Sequence, residues 1–322
     1  MNTKFVLGTF TVCMLGSSLA LAQQPAKLYR ILWVSTGSQP DPFLEGFREG
    51  LRERGYAEGK NVVLEVRYAS GNPDVLRPVV SELTHGHVDL VVSSGPAIRA
   101  LKGATDVPVL FAVSGDPVEL GIAESLARPG GNFTGSTFMS RDIAEKRVEL
   151  LKDTFPQLRT FAVLSNTDHP GERSEWRATQ QAAQALGIEP VYVPFTGASE
   201  LGNALVAASK TRSDAMLVFP EGATLVQRSE IAQFAKAHGL PSMFGWSEYC
   251  DAGGLLSYGA NQRATYFRLA TYADRILHGE KPADLPVEQP TKFELVLNLG
   301  TAKMLGINIP PSVQVRADRV IE

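Results

Sequence analysis

The sequence predicts an α/β protein built from two doubly wound parallel-sheet lobes joined by a hinge that the chain crosses several times. Three observations lead there. Short β-branched runs alternate with amphipathic stretches along the chain, the mark of βαβ units and a parallel sheet. That rhythm restarts after Gly135. The 322 residues also exceed what one hydrophobic core usually organises, which makes two lobes the default.

In order from the N-terminus, the first segment reads as a processing signal. Lys4 supplies a positive start, Phe5 to Leu15 an apolar run, and Ala20-Leu21-Ala22 a small-residue cleavage site. The run is too short to span a bilayer about 30 Å thick, so cleavage after Ala22 and export as a soluble periplasmic protein are expected. Lipidation at Cys13 is the alternative, but Thr11 and Val12 are not the small pair that usually precedes a lipidated cysteine. Removal of 1–22 leaves Cys250 alone, so no intramolecular disulfide is expected and the thiol reads as a small buried hydrophobe.

A first strand is expected at 30–35 and a helix at 42–54, where Phe43, Phe47 and Leu51 recur four apart and form one face. Gly55 ends that helix. Strands follow at 62–68, 88–93 and 108–113, with a helix at 75–83; the third strand is near-continuously apolar, as a strand covered on both faces should be. In the second half, helices are expected at 142–154, through about 187 after the strand at 160–165, and at 200–210, 225–238 and 263–278. Strands are expected between them at 160–165, 189–195, 215–219, 241–244 and 254–258. The prolines at 282, 286 and 290 deny regular helix and suit an extended return between lobes. A buried strand at 293–298 and a short helix at 302–305 close the chain. The expected division is 1–22 signal, 28–135 plus 261–288 for the first lobe, and 136–260 plus 290–322 for the second. Crossings are expected near 134–136, 256–258 and 289–292.

In open parallel sheets, ligands bind beyond the carboxyl ends of the strands, at topological switch points. Ser35 and Thr36 end the first strand, and Ser94 and Gly95 end the third; both loops offer hydroxyls and main-chain N–H groups at a helix start, suited to a carboxylate. Ordinary N-capping is the competing reading. Ser114 and Asp116 end the fourth strand, where Asp116 could meet an ammonium or simply cap the next helix. Asn166, Thr167 and Glu221 occupy matching strand ends in the second lobe. Trp246 and Tyr258 bring aromatic surface that would pack on a flat or apolar ligand, or serve the core.

Other classes find little support. A net charge of −3 gives no basic footprint for nucleic acid. No G-x-S-x-G elbow, P-loop or dinucleotide fingerprint is present, so no enzyme activity and no cofactor are expected. His85 and His87 lack a neighbouring ligand cluster and read as cations at a helix C-terminus rather than a metal site.

Several segments occur together in a recognisable order: Asp116-Pro117-Val118, Arg128-Pro129-Gly130-Gly131-Asn132-Phe133-Thr134-Gly135, the GGLLSYG run at 253–259, and KPADLPVEQPTKFELVLN at 281–298. With these, the chain resembles the substrate-binding components of ABC transporters, on the type I periplasmic binding fold, and most resembles their TrpX-like branch. The resemblance covers 30–322. It implies a hinge-closing monomeric binder without turnover, with permease and ATPase subunits as partners, and a small polar or aromatic ligand, some relatives being associated with aromatic amino acids. It also implies contacts from Ser35, Ser94, Ser114, Asn166, Glu221 and Tyr258. Phe244-Gly245-Trp246-Ser247-Glu248-Tyr249 departs from the family's simpler pattern before the GGL run. A protein presenting ligand to a membrane receptor is the alternative. A transcription regulator on the same lobes is disfavoured because the signal stands where a DNA-binding head would be.

Overall fold

The computed structural model describes residues 27–69, 78–79, 87–138 and 140–322. The signal at 1–22 and most of the helix expected at 75–83 lie outside them, as does His85.

Two α/β lobes form, each around its own sheet. The first sheet has the order β2-β1-β3-β4-β5, all parallel, from Val62–Tyr68 (β2), Tyr29–Ser35 (β1), Leu90–Ser94 (β3), Val109–Val113 (β4) and Phe133–Thr137 (β5). β4 is buried at every position, because helices cover both faces. The second sheet has the order β12-β11-β10-β9-β8-β6-β7. Its strands are Thr160–Asn166 (β6), Glu189–Phe195 (β7), Ala215–Val218 (β8), Ser242–Phe244 (β9), Leu256–Ala260 (β10), Phe293–Asn298 (β11) and Arg319–Ile321 (β12). Only β10 and β11 pair antiparallel, since β11 arrives from the other lobe rather than from a crossover helix. Strand order reverses between β1 and β3 in one sheet and between β6 and β8 in the other. The loops after those strands face each other.

The helix Gln262–Leu277 follows β10 of the second sheet yet packs on the first lobe, against the helix Pro42–Glu53. Their contact is close because Gly50 has no side chain: a Cβ there would lie 2.4 Å from the Phe267 carbonyl oxygen. The chain passes between lobes after Thr137, between Ala260 and Gln262, and between Glu288 and Phe293. The first two passages fall just beyond the expected segments, which lie inside β5 and β10. Gly135 allows close packing between β5 and β4; a Cβ would meet the Phe111 carbonyl oxygen at 2.0 Å. The third passage is pinned to β5, where Glu288 N–H donates to Gly135 O at 2.8 Å and Glu288 O accepts from Thr137 N–H at 2.9 Å.

The core follows this plan, with one cluster under each sheet and a third that is continuous between the lobes. The continuous cluster runs from Trp33, Phe47 and Tyr266 through Phe43 to Trp246 and Tyr249. The lobes are therefore shut against each other.

Candidate functional site

Between the lobes lies a cleft of about 610 Å³, its mouth included, lined by strand-end loops of both sheets. Its apolar wall consists of four aromatic rings. Phe43 stacks on Tyr266 at 5.3 Å and 12°, and Trp246 meets Phe43 edge-on at 5.6 Å and Phe138 at 6.1 Å. Phe43 and Tyr266 come from packed helices of the first lobe, and Trp246 follows β9 in the second. Such a box suits a flat apolar group, since offset and edge-on ring contacts contribute beyond the area they bury.

The polar wall comes from the strand ends. Ser35, Ser94 and Gly95 line the cleft at the first sheet's switch point, with Ser114 beside them after β4. Ser35 Oγ accepts from Gly37 N–H at 3.0 Å, leaving its own O–H free to donate. Ser114 reaches across the interface to Nε2 of His169, which follows β6. Nδ1 of His169 accepts from Gly171 N–H at 3.1 Å, so the neutral ring carries its proton on Nε2 and donates it to Ser114. Burial, with the Arg99 and Arg147 guanidinium charges nearby, pushes the His169 pKa down to about 3.

Two carboxylates line the cleft, and both are N-caps. Asp41 Oδ1 accepts from Phe43 and Leu44 N–H, and its Oδ2 accepts from the Trp33 indole at 3.2 Å. Glu221 accepts from Ala223 and Thr224 N–H at 2.8 and 2.7 Å, and from the Asn166 amide at 3.2 Å. Burial raises both pKa values, against the helix N–H groups, which favour the charged form. Each carboxylate is thus engaged by hydrogen bonds within its own lobe.

The structure gathers Ser35, Ser94, Gly95, Ser114, Glu221 and Trp246 around one cavity. Thr36 lies beside it with its hydroxyl buried and unpartnered, where a Cβ on Gly222 of the facing lobe would come within 2.5 Å. Asn166 stands behind Glu221 and orients it. Asp116 caps its own turn through Val118 N–H at 2.8 Å. Thr167 is exposed and bonds Thr196 at 2.7 Å. Tyr258 packs on Phe293 at 6.0 Å, within the second lobe's core. Among the residues not singled out from the sequence, Asp41, Phe43, Phe138, His169, Arg228 and Tyr266 also line the cleft. Phe43 was visible only as part of a helix face, and no motif marked the others.

Under the second lobe's floor, Arg147 and Glu175 form a fully buried ion pair at 2.5 Å, and Arg147 Nε donates to Tyr258 O at 2.9 Å. Burial pushes Glu175 up to about 7 despite the adjacent guanidinium. This pair braces β10, the strand that leads into the second crossing. Among the described residues, no group of acidic, histidine or cysteine side chains is placed to hold a metal, and no helix is long and apolar enough to cross a membrane.

Two lobes closed over a cleft walled by strand ends define a ligand-binding protein. The model of the ABC transporter substrate-binding protein family matches residues 34–321, and the chain belongs to that family. It is 25% identical over 270 residues to a tyrosine-binding protein of Clostridioides difficile, covering 83% of this chain and 77% of that one. Among solved structures, an ABC domain in complex with L-Trp from Streptococcus pneumonia superposes with a TM-score of 0.84 at 26% identity, covering 92% of this chain and all of that one. A conserved domain protein from Vibrio cholerae gives 0.85 at 26% identity, with 91% and 99% covered.

Proposed function

We propose that this protein is the periplasmic solute-binding component of an ABC importer and that its ligand is an aromatic amino acid. The observation that carries this reading is the closed interlobe cleft, walled by Phe43, Phe138, Trp246 and Tyr266 on one side and by hydroxyl-bearing strand ends on the other. The similarity to a tyrosine-binding protein and to an L-Trp complex supports the same ligand class. The protein acts by binding, without turnover. Ser35, Ser94, Gly95, Ser114, Glu221 and Trp246 contact the ligand, while Asn166 acts through Glu221. Ligand bridging both lobes favours the closed form by its differential affinity for the two states, with rotation about the three crossings, and membrane permease subunits read the closed form. The N-terminal 22 residues direct export and are removed.

Thermal-shift and calorimetric titration of the mature chain with L-tryptophan, L-tyrosine, L-phenylalanine and a panel of aliphatic amino acids and sugars tests this. Saturable stabilisation is expected from at least one aromatic amino acid, about 2.7 kcal/mol at a hundredfold excess over Kd. Stabilisation by sugars or aliphatic amino acids alone would overturn the ligand class. No response across the whole panel would overturn the reading itself.

A further inference from the structure

A second cavity lies beside the cleft. Pro40, Asp41, Pro42 and Arg228 line both spaces, so the two adjoin at the Arg228 side chain. The inner space is aromatic and the outer one charged. Most charges of the outer space are already matched. Arg48 bonds Glu45 at 2.8 Å, Arg263 bonds Glu49 at 2.9 Å, Asp251 bonds Arg319 at 2.7 Å, and Asp41 caps its helix.

Two opposite charges remain. Arg228 offers a fork of N–H donors, of which only Nη1 is spent, on Leu225 O at 2.9 Å. Glu248 has its Oε2 shielded from solvent with no hydrogen-bond partner. Among the described residues, neither takes part in an ion pair. They are near enough for the Arg228 charge to act on Glu248, yet burial dominates and pushes that carboxyl up to about 7. Their positions are fixed from behind. Tyr249, next to Glu248, is wholly buried, stacks on Phe244 at 4.7 Å and donates to Thr224 Oγ1 at 2.6 Å, tying the short helix Ser247–Asp251 to the helix Gly222–Val226 just before Arg228.

We infer that Arg228 and Glu248 form the socket for the charged head of the ligand: the guanidinium takes an α-carboxylate, Glu248 takes the α-ammonium, and the side chain points inward to the aromatic box. This assignment rests on the aromatic amino acid reading above and goes beyond it by fixing which way round the ligand lies. A half-buried carboxylate with an unpartnered Oε2 and a largely unspent guanidinium, lining one cavity, match a zwitterion and neither of its one-charge analogues. Both residues belong to the second lobe, so the head is held there while the first lobe closes over the ring.

The test is calorimetric titration of the wild type, R228Q and E248Q with L-tryptophan, tryptamine (no carboxylate) and indole-3-propionate (no ammonium). The wild type should prefer L-tryptophan to both analogues by about 10- to 100-fold, the range expected for a hydrogen-bonded charge. R228Q should weaken L-tryptophan by a similar factor and leave tryptamine within about twofold. E248Q should weaken L-tryptophan and spare indole-3-propionate. Equal wild-type affinity for L-tryptophan and either analogue overturns the inference without any variant, so a misfolded mutant cannot hide the answer. Loss of tryptamine binding in R228Q as large as the loss of L-tryptophan binding also overturns it. If L-tryptophan, L-tyrosine and L-phenylalanine all fail to bind the wild type, the aromatic amino acid reading falls first and takes the socket with it.

Discussion

Acidification from pH 7 to pH 5 is expected to lower the stability of the folded protein, its lobes shut, by about 2 kcal/mol through His169 alone. His169 is buried where the lobes meet, with Nδ1 accepting from Gly171 and Nε2 bonded to Ser114. Burial disfavours a second proton there, and the Arg99 and Arg147 charges add to that penalty. The pKa therefore falls from the ordinary 6.5 to about 3. A depressed histidine pKa gives stability that is complete above 6.5 and is lost as the pH falls toward 3. Between 6.5 and 5 the loss is about 1.5 units at about 1.4 kcal/mol each. Glu175 and Glu248, both raised to about 7, have the opposite sign, since the folded form takes up their protons first and gains stability as the pH falls from 7 toward 4.5. The contribution of His169 is therefore read as a difference. Melting temperatures of wild type and His169→Gln, measured from pH 8 to pH 5 with ligand present, should converge or cross as the pH drops, because glutamine cannot be protonated. Parallel curves would refute the argument.

Two further perturbations bear on closure and on the floor of the cleft. Gly222→Ala places a Cβ against Thr36 Oγ1 of the opposite lobe; ligand affinity should fall at least tenfold while the ligand-free melting temperature hardly moves, and small-angle scattering should show less compaction on adding ligand. An equal loss of ligand-free stability would reassign the contact to folding. Arg147→Met strands the buried Glu175 carboxylate and should cost about 3–5 kcal/mol of stability, with much of it recovered in Arg147→Met/Glu175→Leu, both read by chemical denaturation.

The fold was legible because a buried parallel strand has to be apolar along its whole length, and runs such as Val109–Val113 can be read directly. β11 was equally plain, but its antiparallel pairing depends on its route from the other lobe, which no local pattern records. The cleft was legible in part for a chemical reason. The residues that cap helices at strand ends are also those that bind ligands, so Asp116 and Glu221 look alike in sequence, yet only Glu221 lines the cavity. Phe43 and Tyr266 were hidden in helix faces: each packs in its own lobe and also lines the cleft. His169 and Arg228 stand alone in the sequence and acquire meaning only from what the other lobe, or the next helix, sets beside them.

The hydrophobic cluster shared by the lobes has a consequence for the unliganded protein. Phe43, Trp246 and Phe138 are buried in the shut structure, and the opening proposed above would turn them into an exposed aromatic surface. Part of the driving force for capture would then be solvophobic and independent of ligand identity. The open form has to remain soluble while displaying this patch, and the ion pairs of Arg48 and Arg263 at its rim supply a hydrated border that discourages two open molecules from meeting ring to ring.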